Sequence, residues 1–252
     1  MIEQFDYYFP YKEVDKHIHV YLPDGALDDE GSRYGVMYMY DGHNLFFDED
    51  ATYGTSWGLK DFMDTNQLSL IIVGIECSHE GNERLAEYCP YVVEESLLND
   101  DQRLEGYGHA YMEWLVHDLK PYIDARYPTY PFREATAIGG SSMGGLMAFY
   151  SGLRYNDYFS KIAALSPSFM LCQDQLLKEW QASNIHSDTN FYLSYGEEEV
   201  NKYPRLMDSV HYYHDEIVKA GGSSYVHIQE KGGHNEACWR EQNSLYMDVL
   251  WG

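Results

Sequence analysis

The stretch Ile138-Gly139-Gly140-Ser141-Ser142-Met143-Gly144-Gly145 holds a serine set for nucleophilic chemistry. A short apolar run, Ala135 to Ile138, leads into it, and a helix-like segment continues to about Tyr155. The pattern is G-x-S-x-G between strand and helix, where a sharp turn presents its apical serine outward. Residues two before and two after that serine must be small, because strand and helix pack closely there. Ser142 has glycine at both positions, whereas Ser141 has Gly139 before it and Met143 after it. Ser142 is therefore the expected nucleophile.

A serine hydroxyl needs a base to take its proton and an acid to orient that base. On this kind of turn the three follow in the order Ser, Asp or Glu, His. Asn190 to Tyr195 reads as a strand that runs into Gly196-Glu197-Glu198-Glu199. Pro204 to Ala220 reads as a helix, and Ser224 to Gln229 as a second strand ending at Lys231-Gly232-Gly233-His234-Asn235. A carboxylate is thus expected on the loop after one strand and His234 on the loop after the next. Both lie at carboxyl ends of strands, where open α/β sheets hold their ligands. Any of Glu197, Glu198 and Glu199 could orient His234. Asp208 and Asp215 fall within the helical pattern and Asp188 precedes its strand, which makes them poorer candidates.

Attack on a carbonyl also requires two N–H groups where the oxyanion develops. Met143, the residue after the nucleophile, offers one at the positive end of its helix. For the second, the strand Tyr34 to Tyr40 stops at Asp41-Gly42-His43-Asn44. Asp-Gly is a turn dipeptide that lets the next amide point into a site. The N–H of His43 is the expected second donor, with Asn44 as the alternative.

These residues carry a family resemblance. Tyr40-Asp41-Gly42-His43-Asn44-Leu45-Phe46 followed by Trp57-Gly58 resembles the D-G-x-N-L-F…W-G signature of the Putative esterase family, which includes enterochelin-esterase-like, feruloyl and acetylxylan esterases and mycolyltransferases. Val73-Gly74-Ile75, Arg84 with Glu87-Tyr88-Cys89-Pro90, Leu119 to Asp124, Gly139 to Leu146, Ala164 to Phe169 and Gly233-His234 resemble it too, so the likeness spans roughly residues 30 to 245. It implies an α/β-hydrolase fold and an acyl-ester hydrolase with no metal or organic cofactor. The family's G-x-x-E motif maps onto Gly196 and Glu199, which selects Glu199 from the three glutamates. Asp41, Asn44, Trp57 and Arg84 become candidates to contact substrate. His43 stands where glutamine or another residue is more usual, a change that alters the pocket floor and leaves backbone donation intact.

The elements that must position these groups fit one α/β domain over residues 1–252, with a mostly parallel central sheet and helices on both faces. A chain of 252 residues, 44% hydrophobic, is long enough to bury a substantial core. Strands are expected at about His17 to Leu22, Tyr34 to Tyr40 and Leu68 to Ile75, the first two as an opening pair around the polar turn Asp24 to Ser32. Cys77 to Gly106 is the least regular stretch and is expected to be a lid or substrate wall. Tyr107 to Asp124 repeats its apolar residues at helical spacing.

Forty-one acids against 17 bases give a net charge of −24, a surface that repels nucleic acid and anionic membranes. No apolar run reaches transmembrane length. Cys77, Cys89, Cys172 and Cys238 are too scattered for a disulfide framework, and no secretory signal is visible, so a cytoplasmic protein is expected. His109, Glu113 and His117 share a helical face, as do His211 and His214, and His17 alternates with His19. None has a completing ligand nearby in sequence, and no zinc is expected. Twenty-five tyrosines allow aromatic pocket walls for small acyl or aryl esters. An acyltransferase to a sugar or alcohol, a peptidase, and a silent binding module on the same fold remain alternatives.

Overall fold

A computed structural model describes residues 1–28, 31–94, 103–202 and 204–252, with the side chain of Pro204 also left aside. Eight strands form one sheet among the described residues: β1 (Ile2–Phe9), β2 (Val14–Tyr21), β3 (Gly35–Tyr40), β4 (Leu70–Ile75), and, after a small hairpin, four more. The hairpin is β5 (Val92–Val93) with β6 (Leu104–Glu105). The remaining sheet strands are β7 (Thr136–Ser141), β8 (Lys161–Leu165), β9 (Asn190–Gly196) and β10 (Ser223–Gln229). Their order is β1-β2-β4-β3-β7-β8-β9-β10, antiparallel up to β4 and parallel from there on. This is the α/β-hydrolase arrangement expected from the sequence.

The central strands are buried on both faces, as parallel strands covered by helices must be. Val36, Tyr38 and Tyr40 of β3 point into one core while Met37 and Met39 point into the other. β4 splits likewise, Ile71, Val73 and Ile75 against Leu70 and Ile72. The first core is closed by the helices Gly108–Trp114 and Met143–Arg154, which bring Tyr111, Met112, Leu146 and Phe149. The second is closed by Leu59–Asn66 and Asn243–Trp251, with Leu59, Met63, Tyr246 and Leu250. Each such side chain, taken fully out of water, contributes about 1.5–3 kcal/mol.

Two expectations need correction. β1 lies ahead of all the strands read from the sequence, because Phe5, Tyr7 and Phe9 alternate with charged and polar residues on a half-exposed edge. The strands at His17 and Tyr34 are not paired: β4 lies between β2 and β3, returned there by the crossover helix Leu59–Asn66. Of the irregular stretch 77–106, residues 95–102 lie outside the described residues. The rest holds the helix Glu83–Glu87 and the β5–β6 hairpin.

Candidate active site

Ser142 sits between β7 and the helix Met143–Arg154 with φ 58° and ψ −118°, a backbone state a non-glycine residue holds only under constraint. Its N–H donates to the Leu165 carbonyl (3.0 Å), and its carbonyl accepts from Ser168 N–H (3.0 Å). The flanking glycines sit in tight contacts. A Cβ on Gly140 would lie 3.0 Å from the Gly144 carbonyl carbon, and one on Gly144 would lie 2.9 Å from Tyr40 Cβ. Met143 opens the helix directly after Ser142, so its first-turn N–H has no intrahelical acceptor.

His234 Nε2 lies 2.9 Å from Ser142 Oγ, and His234 Nδ1 lies 2.7 Å from Glu199 Oε2. An ionised carboxylate can only accept, so the proton between them belongs on Nδ1. The Nε2 lone pair is then left to accept the serine hydroxyl. Glu199 is buried, and its other oxygen accepts from Ser166 Oγ–H (2.6 Å) and Gly196 N–H (2.8 Å). Trp239 Nε1–H donates in turn to Ser166 Oγ (3.0 Å) and its ring meets His234 edge-on at 5.2 Å. Burial opposes the Glu199 charge, but the bonds from His234, Ser166 and Gly196 prevail and hold the carboxyl below its ordinary value.

Glu199 belongs to the first turn of the helix Glu197–Lys202, which follows β9 directly in place of the expected loop. Gly196 is needed there, since a Cβ on it would run into the Gly232 backbone. Glu197 and Glu198 are exposed, and Glu197 accepts from Lys231 N–H (3.0 Å).

A cleft of about 540 Å³ opens over Ser142. His43, Asn44, Thr52 and Tyr53 line it, with Cys77 to Arg84 in part and His234 to Trp239 in part. Asp41 occupies the left-handed region (φ 58°, ψ 51°) at the head of the turn that carries His43. Asn44 N–H is spent on the Asp41 carbonyl (2.8 Å), which takes Asn44 out of the running as second oxyanion donor. The Asn44 side chain accepts from Thr52 N–H and so shapes the loop.

Arg84 does not pair with Glu87, which is taken by Lys16 (2.5 Å). It forks onto Asp41 instead, Nε to Oδ1 at 2.6 Å and Nη2 to Oδ2 at 2.7 Å, and lies over the Tyr88 ring. Burial works against the Asp41 charge, and Arg84 more than offsets it, keeping the carboxyl below its ordinary value. Asp41 and Arg84 thus both line the cleft and brace its floor. Trp57 does neither. It is packed in the second core against Trp239 and Tyr246, so the expectation that it contacts substrate is corrected to a packing role.

Glu236 was not legible from the sequence as a cleft residue. It is buried at the start of the helix Glu236–Arg240, and burial pushes its carboxyl above the ordinary value, with the Asp41 charge adding to the effect. Ser168, whose hydroxyl is 3.4 Å from Ser142 Oγ, was missed as well. His109 and Glu113 bond Tyr155, and His211 bonds Tyr195.

The fold is of the α/β-hydrolase class, and its site brings a serine, a histidine and a buried carboxylate into one hydrogen-bonded line. Residues 13–244 match the family described as Putative esterase, and the chain belongs to that family. It is 36% identical over 96 residues to an acetyl esterase of Caldicellulosiruptor saccharolyticus, covering 38% of this chain and 34% of that protein. The chain spans less than two thirds of the length of the curated relatives it matches. Among solved structures it resembles an IroE-like serine hydrolase from Shewanella oneidensis (TM-score 0.78, 16% identity, 99% of this chain and 79% of that one). It also resembles the enterobactin esterase FES from Shigella flexneri (TM-score 0.75, 17% identity, 100% of this chain and 58% of that one).

Proposed function

We propose that the chain hydrolyses small acyl or aryl esters through an acyl-enzyme on Ser142, with His234 as base and Glu199 as the acid that orients it. The observation that carries this reading is the unbroken hydrogen-bonded line from Ser142 Oγ through His234 to Glu199. Ser142 Oγ attacks the ester carbonyl as its proton passes to His234 Nε2. The tetrahedral oxyanion is held by the N–H groups of Met143 and His43. His234 then gives its proton to the departing alkoxide, the C–O bond breaks, and the acyl group stays on Ser142. Water attacks the acyl-enzyme with its proton going to Nε2, and collapse returns that proton to Ser142 and releases the acid. Glu199 remains ionised throughout and favours the imidazolium that forms at each step.

The whole chain acts as one α/β-hydrolase domain, and part of the 77–106 insertion serves as substrate wall. Support comes from Cys77, Ser78, His79, Gly81 and Arg84, which line the cleft. Tyr53, 80% exposed at the rim, offers an aromatic face to the substrate. A cytoplasmic setting is favoured by four cysteines that are all free thiols. Among the described residues no helix is long and apolar enough to cross a membrane.

The test is hydrolysis of p-nitrophenyl esters, acetate through octanoate plus ferulate, by the wild type and Ser142→Ala. Turnover that the variant lacks supports the reading, and turnover that survives the substitution refutes it.

A further inference from the structure

Next to the catalytic cleft lies a second pocket, of about 480 Å³, whose lining includes His17, His19, His43, Glu76 and His79. We propose that His17, His19 and Glu76 form a binding site for a divalent transition metal of the zinc class, with His79 as a fourth donor.

Strand geometry puts these groups together. His17 and His19 are two apart on β2, so their side chains share a face, and their rings meet edge-on at 4.8 Å. Glu76 directly follows β4, the neighbour of β2, and its N–H donates to the His17 carbonyl (3.0 Å). One ligand atom from each of the three lies within 4.8 Å of the others, a spread that side-chain rotation can close onto one ion. His79 Nε2 is a further 3.5 Å from Glu76 Oε2.

The outer partners are those a metal site needs. His17 Nδ1 is held by Asp6 Oδ1 (2.6 Å), which fixes the ring and leaves Nε2 for an ion. His19 Nδ1 faces the Gln4 amide (3.0 Å), which can accept from Nδ1–H with its oxygen turned inward. His19 Nε2 is 2.6 Å from Glu76 Oε1, an N,O pair that would open to admit the cation. Two or three imidazoles and a carboxylate suit Zn²⁺ or Co²⁺, and not Ca²⁺ or Mg²⁺, which take oxygen donors.

An independent sign of a missing ligand comes from the wall shared with the cleft. His43 is 6% exposed, uses Nε2 on Thr52 Oγ1 (3.0 Å), and leaves Nδ1 with no hydrogen-bond partner among the described residues. This buried nitrogen lacks a partner in either tautomer, and a water carried on the ion would supply one as donor or acceptor. The His43, Cys77 and His79 grouping is the poorer cage. Its Cys77 thiol is buried and already engaged by the Asp41 carboxylate. The expectation of no zinc rested on spacing along the sequence, and here the completing ligand comes from the end of another strand. His79 and His43 meet edge-on at 4.5 Å, so an ion held by His79 would also fix that wall of the cleft.

The test is calorimetric titration of the chelator-treated full chain with Zn²⁺, alongside visible absorption on Co²⁺ loading. One ion per chain is expected, with a Kd in the micromolar range or below and the d–d bands of four- or five-coordinate Co²⁺. His17→Ala and Glu76→Gln should each weaken binding at least tenfold, and the pair His211→Ala with His214→Ala should leave it unchanged. His17 is partly exposed and Glu76→Gln is nearly isosteric, so both variants should fold, which circular dichroism checks. The proposal is overturned if no saturable binding is seen, if both variants bind as the wild type does, or if binding is lost with His211 and His214. None of these readouts depends on ester hydrolysis.

Discussion

Ser166 Oγ donates a 2.6 Å hydrogen bond to Glu199 Oε1, the oxygen opposite the one that meets His234. Ser166 is itself fixed by Trp239 Nε1–H and holds a left-handed backbone (φ 44°) just past β8. Glu199, the proposed acid, is thereby anchored from two strands, β8 through Ser166 and β9 through the Gly196 N–H.

Only one of the three consecutive glutamates should matter. Glu199→Gln keeps the shape and loses the charge, and kcat/KM should fall about 10³–10⁴-fold. Glu197→Gln and Glu198→Gln, both exposed, should stay within a few-fold of wild type. Steady-state kinetics on one ester decides the register.

Ser166→Ala tests the anchor. It leaves a buried carboxylate oxygen with one donor fewer and the Trp239 N–H without its acceptor, at a cost of about 1–3 kcal/mol in stability. The kcat should drop roughly tenfold with KM little changed, because the residue acts on the base and not on the bound ester. Denaturant titration and a kcat/KM split read the two effects separately.

Stability should depend on pH through Glu199. Its carboxyl is held below its ordinary value in the folded chain and regains that value, about 4.3, on unfolding. Stabilisation from a depressed carboxyl is complete above the unfolded value and disappears as pH falls through the folded one. The stability gap between wild type and Glu199→Gln should therefore be constant at neutral pH and shrink below about pH 5. Denaturant midpoints at several pH values measure it.

The Asp41–Arg84 fork lies at the cleft floor, its carboxylate buried and its guanidinium part-exposed. Arg84→Ala strands the Asp41 carboxylate, and stability should fall by about 1–3 kcal/mol, less than for a fully buried pair. Arg84→Lys should recover only part of it, since an ammonium cannot make both bonds of the fork. Thermal melts of the two variants and of Asp41→Asn give the comparison.

Trp57 and Tyr53 should separate packing from recognition. Trp57→Phe should lower the melting temperature and leave the acyl-chain profile as it was. Tyr53→Ala should leave stability within about 0.5 kcal/mol, as surface changes do, and raise KM for aryl esters. A profile change in Trp57→Phe without loss of stability would reverse these assignments.

The line from Ser142 through His234 to Glu199 was legible in the sequence because its signals are local. The turn around Ser142 holds Gly140 and Gly144 in tight contacts, and the Gly232-Gly233 pair before His234 marks a loop. What lay hidden depends on contacts between distant strands. The Ser166 bond to Glu199, the Asp41 fork with Arg84 and the grouping of His17, His19 and Glu76 join residues whose spacing along the chain says nothing of their meeting. Trp57 misled for the same reason: an aromatic near a motif faces the core or the cleft according to packing behind it. The edge strand β1 was missed because its exposed face blurs the apolar alternation.

Ser142 is the residue expected to become acylated. Labelling the wild type with a fluorophosphonate, followed by digestion and mass spectrometry, reads that directly. A single adduct on Ser142 is expected, greatly slowed in His234→Ala and absent in Ser142→Ala. An adduct on Ser141 or Ser168, or no adduct on the folded wild type, would contradict it.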